Sequence, residues 1–244
     1  MDDARGFEDN FMTVAAQAAR GELGLHRQGL LAVKKGLRTL AEHQVQFYKR
    51  VDAALASVEI PDDLSLACGQ GCSYCCNYHV HVSAPEAIAI AEHLRAKWRP
   101  ERVAVAIESL AKNVASVQGL TEEEHTATNV RCAFLSPQDS CSIYDVRPVA
   151  CRKHHSFDVE PCRVTFDDPT SQDAAPQSLE RLAVAHGLFT SSVASMEIEG
   201  MDAARYEMSA AVLEALTQPA AIKRWRAGKN SFPSGKNRDT QRAT

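Results

Sequence analysis

Eight cysteines fall in one window of this 244-residue chain: Cys68, Cys72, Cys75, Cys76, Cys132, Cys141, Cys151 and Cys162. None lies in the first 67 residues or the last 82. Cysteines used as small core residues would scatter over the flanks as well. Thiolates that share a metal ion must instead converge on it, each at about 2.3 Å. The run Cys68-Gly-Gln-Gly-Cys72-Ser-Tyr-Cys75-Cys76 is the tightest part of the set. Two residues between Cys72 and Cys75 let one turn aim both sulfurs at one point, and Gly69 and Gly71 supply a loose backbone for it. Metal binding is the chemistry expected.

Disulfides fit less well. The N-terminal residues have no apolar stretch of the signal-peptide kind, a cytosolic chain keeps its thiols reduced, and neighbours such as Cys75 and Cys76 rarely bridge. A redox dithiol at Cys72 and Cys75 calls for a βαβ setting that the surrounding residues do not supply.

The pattern Cys68-x3-Cys72-x2-Cys75-Cys76, then Cys132-Ala-Phe-Leu, Cys141-Ser-Ile-Tyr-Asp-Val-Arg-Pro and Cys151-Arg152, resembles the YkgJ-like CxxCxxCC family. The resemblance covers about residues 66–162 and implies a domain that chelates zinc or iron through eight cysteines. The first gap here holds three residues where the family name has two, so the role of Cys68 is the least fixed. The wider family resembles flagellin lysine N-methylases in its cysteine cluster, which raises methyl transfer from S-adenosylmethionine as an alternative. No Gly-rich strand–helix turn of the cofactor-binding kind is present, so catalysis stays open, with the balance against it.

The Cys-x2-Cys spacing suits zinc and iron, a [4Fe–4S] cluster included. The adjacent pair Cys75-Cys76 is unusual for a simple zinc ribbon and tilts the reading towards iron–sulfur or a bridged site. Two four-thiolate sites, one cluster with spare thiols, or a polynuclear centre all fit eight cysteines. Four thiolates leave a zinc ion or such a cluster with a charge of about −2. Arg147 and Arg152 bracket Cys151 and are the expected donors towards that charge. The histidine pairs His79/His81 and His154/His155 are reserve ligands. The role that follows is structural, redox or sensory.

The fold expected is mainly α: a helical scaffold around an irregular, metal-stapled, cysteine-rich core with little β. Residues 1–60 form an N-terminal helical segment, 61–165 the cysteine domain, 166–228 C-terminal helices packing on it, and 229–244 a disordered tail. Leu30, Val33, Leu37 and Leu40, then Phe47, Val51, Ala54 and Val58, make a 3,4-spaced seam with Gln44 in register. It either lies on its own domain or pairs with a second copy or another protein through residues 30–58. Gly21, Gly24, Gly29 and Gly36 weaken the early part of this helix and suggest a break near 21–29.

Ser83 and Glu86 frame a capping box for a helix running to about Trp98, and a second helix follows from Pro100. Asn77–Val82 alternates like a short strand, and Thr121 and Glu124 make another capping box. Residues 130–165 look irregular. Helices are expected over 178–196 and over 202–217, the latter with Asp202 as N-cap.

No apolar run approaches the ~20 residues that span a bilayer, and the chain is expected to be soluble and cytoplasmic. Lys223, Arg224, Arg226, Lys229, Lys236, Arg238 and Arg242 make the C-terminus basic, which raises a zinc-stabilised protein or nucleic-acid adaptor. A net charge of −4 makes nucleic acid an unlikely partner.

Overall fold

A computed structural model describes residues 2–233. Among the described residues it holds ten helices and one two-stranded sheet, so the chain is mainly α with little β. Helix α1 (Asp2–Lys34) runs unbroken through the glycines at 21, 24 and 29. Its length lies beside α8 (Leu179–Ile198), where Phe11 meets His186, Ser195 donates to the Leu23 carbonyl, and Arg27 pairs with Glu199. Burial of that flank outweighs the weak helix propensity of glycine. The interruption expected near 21–29 comes instead at residues 35–39, where Gly36 takes φ +74°.

Thr39 and Glu42 then form a capping box on α2 (Leu40–Ala56). Leu30, Val33, Leu40, Phe47 and Val51 of the seam are each at most 1 % exposed. Leu37 falls in the turn and is 76 % exposed. The chain's own helices cover the seam, so residues 30–58 present no continuous apolar stripe to a second copy.

His26 of α1 and His43 of α2 meet edge to face at 4.6 Å, with Phe47 against His26 and the Glu22–Arg50 ion pair beside them. Both rings are buried. Burial, then Arg50 and Arg38, lowers His43 to about 4, and burial, then His43 and Arg50, holds His26 well below its ordinary value. The unfolded chain binds protons at these sites near pH 6.5 and the folded chain does not. Stability is therefore full above pH 6.5 and falls as pH drops towards 4. Melting temperature should decline over that window, and His43→Phe should flatten the decline; an unchanged slope would discard the assignment.

Helix α3 (Ala84–Lys97) is the central element, and Ala84 and Ala89–Leu94 along it are almost wholly enclosed apart from the Glu92–His93 pair. It carries the expected Ser83–Glu86 capping box and packs against α2 and α9 (Met208–Thr217). Helix α4 (Pro100–Ser116) lies on α9, and α5 (Glu122–Thr126) starts at the Thr121–Glu124 box.

The strand read at 77–82 shortens to β1 (His81–Ser83), which pairs antiparallel with β2 (Arg205–Glu207), Val82 opposite Tyr206. That strand displaces the start expected for a helix at 202. Glu207 caps α9, accepting from the Ser209 and Ala210 amides at 2.8 and 2.6 Å. Asp202 instead accepts from the Tyr206 hydroxyl and the Ser231 amide.

Residues 130–165, irregular by sequence, contain two short helices, α6 (Val149–Lys153) and α7 (Glu160–Asp167). Helix α10 (Ala221–Arg226) closes the core with Trp225. Its arginines turn inward: Arg224 donates to Glu214 and to the Ser231 carbonyl, and Arg226 to the Val33 carbonyl. The first residues of the expected tail are also packed. Ser231 and Phe232 are fully buried, with Phe232 edge-on to Tyr206 at 5.0 Å. Residues 234–244, with Lys236, Arg238 and Arg242, lie outside the described residues. Truncation after Gly228 should lower stability by about 3–5 kcal/mol through the loss of Phe232, read as a shift of the denaturation midpoint; an unchanged midpoint would show that Phe232 does not hold the core.

Candidate metal centre

The cysteine run follows an open loop, and every residue from Pro61 to Gly71 is exposed. At its end Gly71 takes φ +89°, a turn that leads Cys72 into the single helical turn Tyr74–Asn77, which holds Cys75 and Cys76. Asn77 fixes that turn by donating its side-chain amide to the Ser73 and Tyr74 carbonyls. The return segment is stitched alongside: Cys132 donates its amide to the Cys76 carbonyl at 2.9 Å, and Val130 to that of Asn77 at 3.1 Å. Cys141 pairs in a β-bridge with Leu135, and the Ser142 amide reaches the Phe134 carbonyl. Cys151 sits on α6 and Cys162 on α7.

All eight cysteines are free thiols. Cys68, Cys72, Cys75, Cys76, Cys132, Cys141 and Cys151 line one cavity of about 900 Å³, and Cys162 lies outside its lining. Among the described residues no group of three or more Cys, His, Asp or Glu is already gathered as a metal-holding set. The donor chemistry nevertheless suits a thiophilic ion. Burial pushes the Cys132 thiol up to about 12 and raises Cys141 and Cys151, and repulsion from Cys76 adds to each. Cys75 is raised by donating its S–H to Cys76 and by burial. Cys76 is lowered to about 7 by accepting that hydrogen bond, with Arg147 and Arg131 assisting. Crowded thiols that resist charging together become comfortable when a cation replaces their protons.

Arg147 stacks on the half-exposed Tyr144 ring at 4.1 Å and lowers the charging cost of Cys76, Cys141 and Cys151. Its Nε is buried without a hydrogen-bond acceptor among the described residues. Arg152 also eases the charging of Cys141, while its hydrogen bonds go to the scaffold: it donates to the carbonyls of Tyr144, Asp145 and Arg147 and to Asp52, and lies over the Tyr48 ring at 4.3 Å. It holds the 144–152 segment onto α2. Glu86 does the same from α3, accepting from the Val149 amide at 2.9 Å while capping its own helix through Ser83. Cys151 thus rides on a helix tied at both ends to the scaffold.

The reserve histidines separate. His155 accepts from the Ser178 amide at Nε2, which leaves Nδ1–H to donate to the Lys153 carbonyl, so both ring nitrogens are engaged. His154 lines the cavity, and its Nε2 is buried with no hydrogen-bond partner among the described residues. His79 and His81 also line it, and His125 of α5 stacks on His79 at 4.0 Å. His125 lies 46 positions from His79, and no local spacing marks it as part of this wall. Arg181 and Arg205 were hidden in the same way, since each reaches the cavity from the C-terminal third of the chain.

Residues 67–173 match the model of the CxxCxxCC family, whose description is "putative zinc- or iron-chelating domain". That span contains all eight cysteines, Arg147, Arg152 and His154. No curated protein and no solved structure matches the chain. No helix among the described residues is long and apolar enough to cross a membrane.

Proposed function

We propose that this protein is a metal-binding protein that holds zinc or an iron or iron–sulfur centre through its eight cysteines, in the cytoplasm, with a structural, redox or sensory role. The observation that carries this reading is the convergence of seven free thiols from four separate chain segments on one cavity. The cytoplasm fits because eight thiols stay reduced there. In this reading residues 61–165 are the metal domain, residues 1–60 and 166–228 brace it, and any bound ion supplies folding free energy to the loops. Arg147 offers fixed positive charge to Cys76, Cys141 and Cys151.

Elemental analysis with an absorption spectrum, on protein purified without oxygen, tests it. Iron with sulfide and a broad band near ~400 nm would assign a redox or sensing centre. One or two zinc ions in colourless protein would assign a structural or storage role. Protein that retains no metal, and takes up neither Zn²⁺ nor Fe²⁺ under reducing conditions, would refute the reading.

A further inference from the structure

We infer that the eight cysteines form two distinct four-thiolate centres that meet at the Cys75–Cys76 peptide: an inner one from Cys76, Cys132, Cys141 and Cys151, and an outer one from Cys68, Cys72, Cys75 and Cys162. The inference rests on the metal reading above and adds how the thiols divide.

The inner set is built against the core. The Cys132 and Cys76 backbones are joined by a hydrogen bond, and Cys141 returns beside Leu135 through the bridge and the Ser142–Phe134 contact. Cys132 and Cys141 pack on the hydrophobic core. Phe134, Ile143, Val146 and Val149, which flank these cysteines in the chain, are at most 2 % exposed. Cys151 closes the set from α6, held by Glu86 and Arg152.

The outer set is organised by Ser156 and α7. The Ala67 amide donates to the Ser156 carbonyl at 2.8 Å, which fixes the residue before Cys68. The Ser156 hydroxyl donates to the Asp158 carbonyl, which also faces the Cys162 thiol at 4.0 Å. Helix α7 lies along the Tyr74–Asn77 turn, with Tyr74 against Phe166 at 5.6 Å and the Tyr78 and Thr165 hydroxyls 2.7 Å apart. Cys162, one turn before Thr165 and Phe166, is thereby presented to the Cys72–Cys75 turn.

The two centres differ in how they yield metal. The outer one hangs on the exposed loop 61–71 and carries the exposed Cys68, so its ion is the exchangeable one. The inner one has a core wall behind it and keeps its ion. Full-length protein loaded anaerobically with Co²⁺ and freed of excess should carry two equivalents with thiolate-to-metal absorption. A competing chelator should remove one at least tenfold faster than the other. Cys68→Ser and Cys162→Ser should each hold one equivalent and lose the fast phase, with helicity unchanged by circular dichroism. Cys132→Ser should instead lose the slow one. The partition is overturned by a single equivalent in the wild type, by a single release phase, or by loss of all metal in Cys68→Ser or Cys162→Ser. Wild-type protein that takes up no metal at all would sink the metal reading itself, a different result from any of these.

Discussion

Metal removal under reducing conditions should strip hydrogen-exchange protection from residues 66–78 while α2, α3 and α9 keep theirs. The open loop 61–71 buries nothing, and the Tyr74–Asn77 turn contributes one buried residue, Asn77. Ordering each such residue costs about 1–2 kcal/mol of backbone entropy, and local burial does not offset it. A thiolate-held ion supplies about 10–16 kcal/mol in small zinc domains, enough to hold both segments. The effect should be graded. Residues 143–152 are anchored by Ile143, Val146, Val149, Glu86 and Arg152, so they should stay protected without metal. Restoring Zn²⁺ or Fe²⁺ should restore the lost protection. Equal protection with and without metal would mean that the loops fold on their own and that the ion is a passenger.

The capping boxes at Ser83/Glu86 and Thr121/Glu124 were legible because each is a local contract between residues three apart. The seam on α1 and α2 was legible for the same reason, since helical spacing alone sorts Leu30, Val33, Phe47 and Val51 to one face. What covers that face was not. The contact between α1 and α8 joins residues more than 150 positions apart, and the helix break depended on how glycine propensity compares with that burial. The strand at 205–207 exists because β1 lies opposite it, and three residues carry too little pattern to announce a partner. The gathering of cysteines was readable as clustering, but their division was not. It follows from Ser156 and α7 on one side and the Leu135–Cys141 bridge on the other, contacts that depend on the folded chain. Arg147 and Arg152 look equivalent in sequence, both within four residues of Cys151, and the structure gives them different work.

That difference is open to measurement. Arg152→Ala removes the donors that satisfy three backbone carbonyls, the partner of Asp52, and the cation over Tyr48. Its side chain is 2 % exposed, but Asp52 is half in water, so the ion pair itself counts for less than a fully buried one. The Tyr144 carbonyl keeps the Arg147 amide at 3.4 Å, but those of Asp145 and Arg147 lose their donor; that loss dominates and should cost about 2–4 kcal/mol in denaturant unfolding, with the Cys151 helix loosened from α2. Arg152→Lys should recover only part, because a single ammonium cannot replace the guanidinium fork across four acceptors. Arg147→Ala should behave in the opposite way. Among the described residues Arg147 has no carboxylate partner, and its guanidinium acts on the charge of Cys76, Cys141 and Cys151. The denaturation midpoint of the metal-free protein should stay nearly fixed, while metal affinity should fall about 10-fold or more, as for other groups that support metal ligands. A common loss of stability in both variants, with no separate change in affinity for Arg147→Ala, would show that the two arginines share one structural task and that Arg147 does not serve the thiolates.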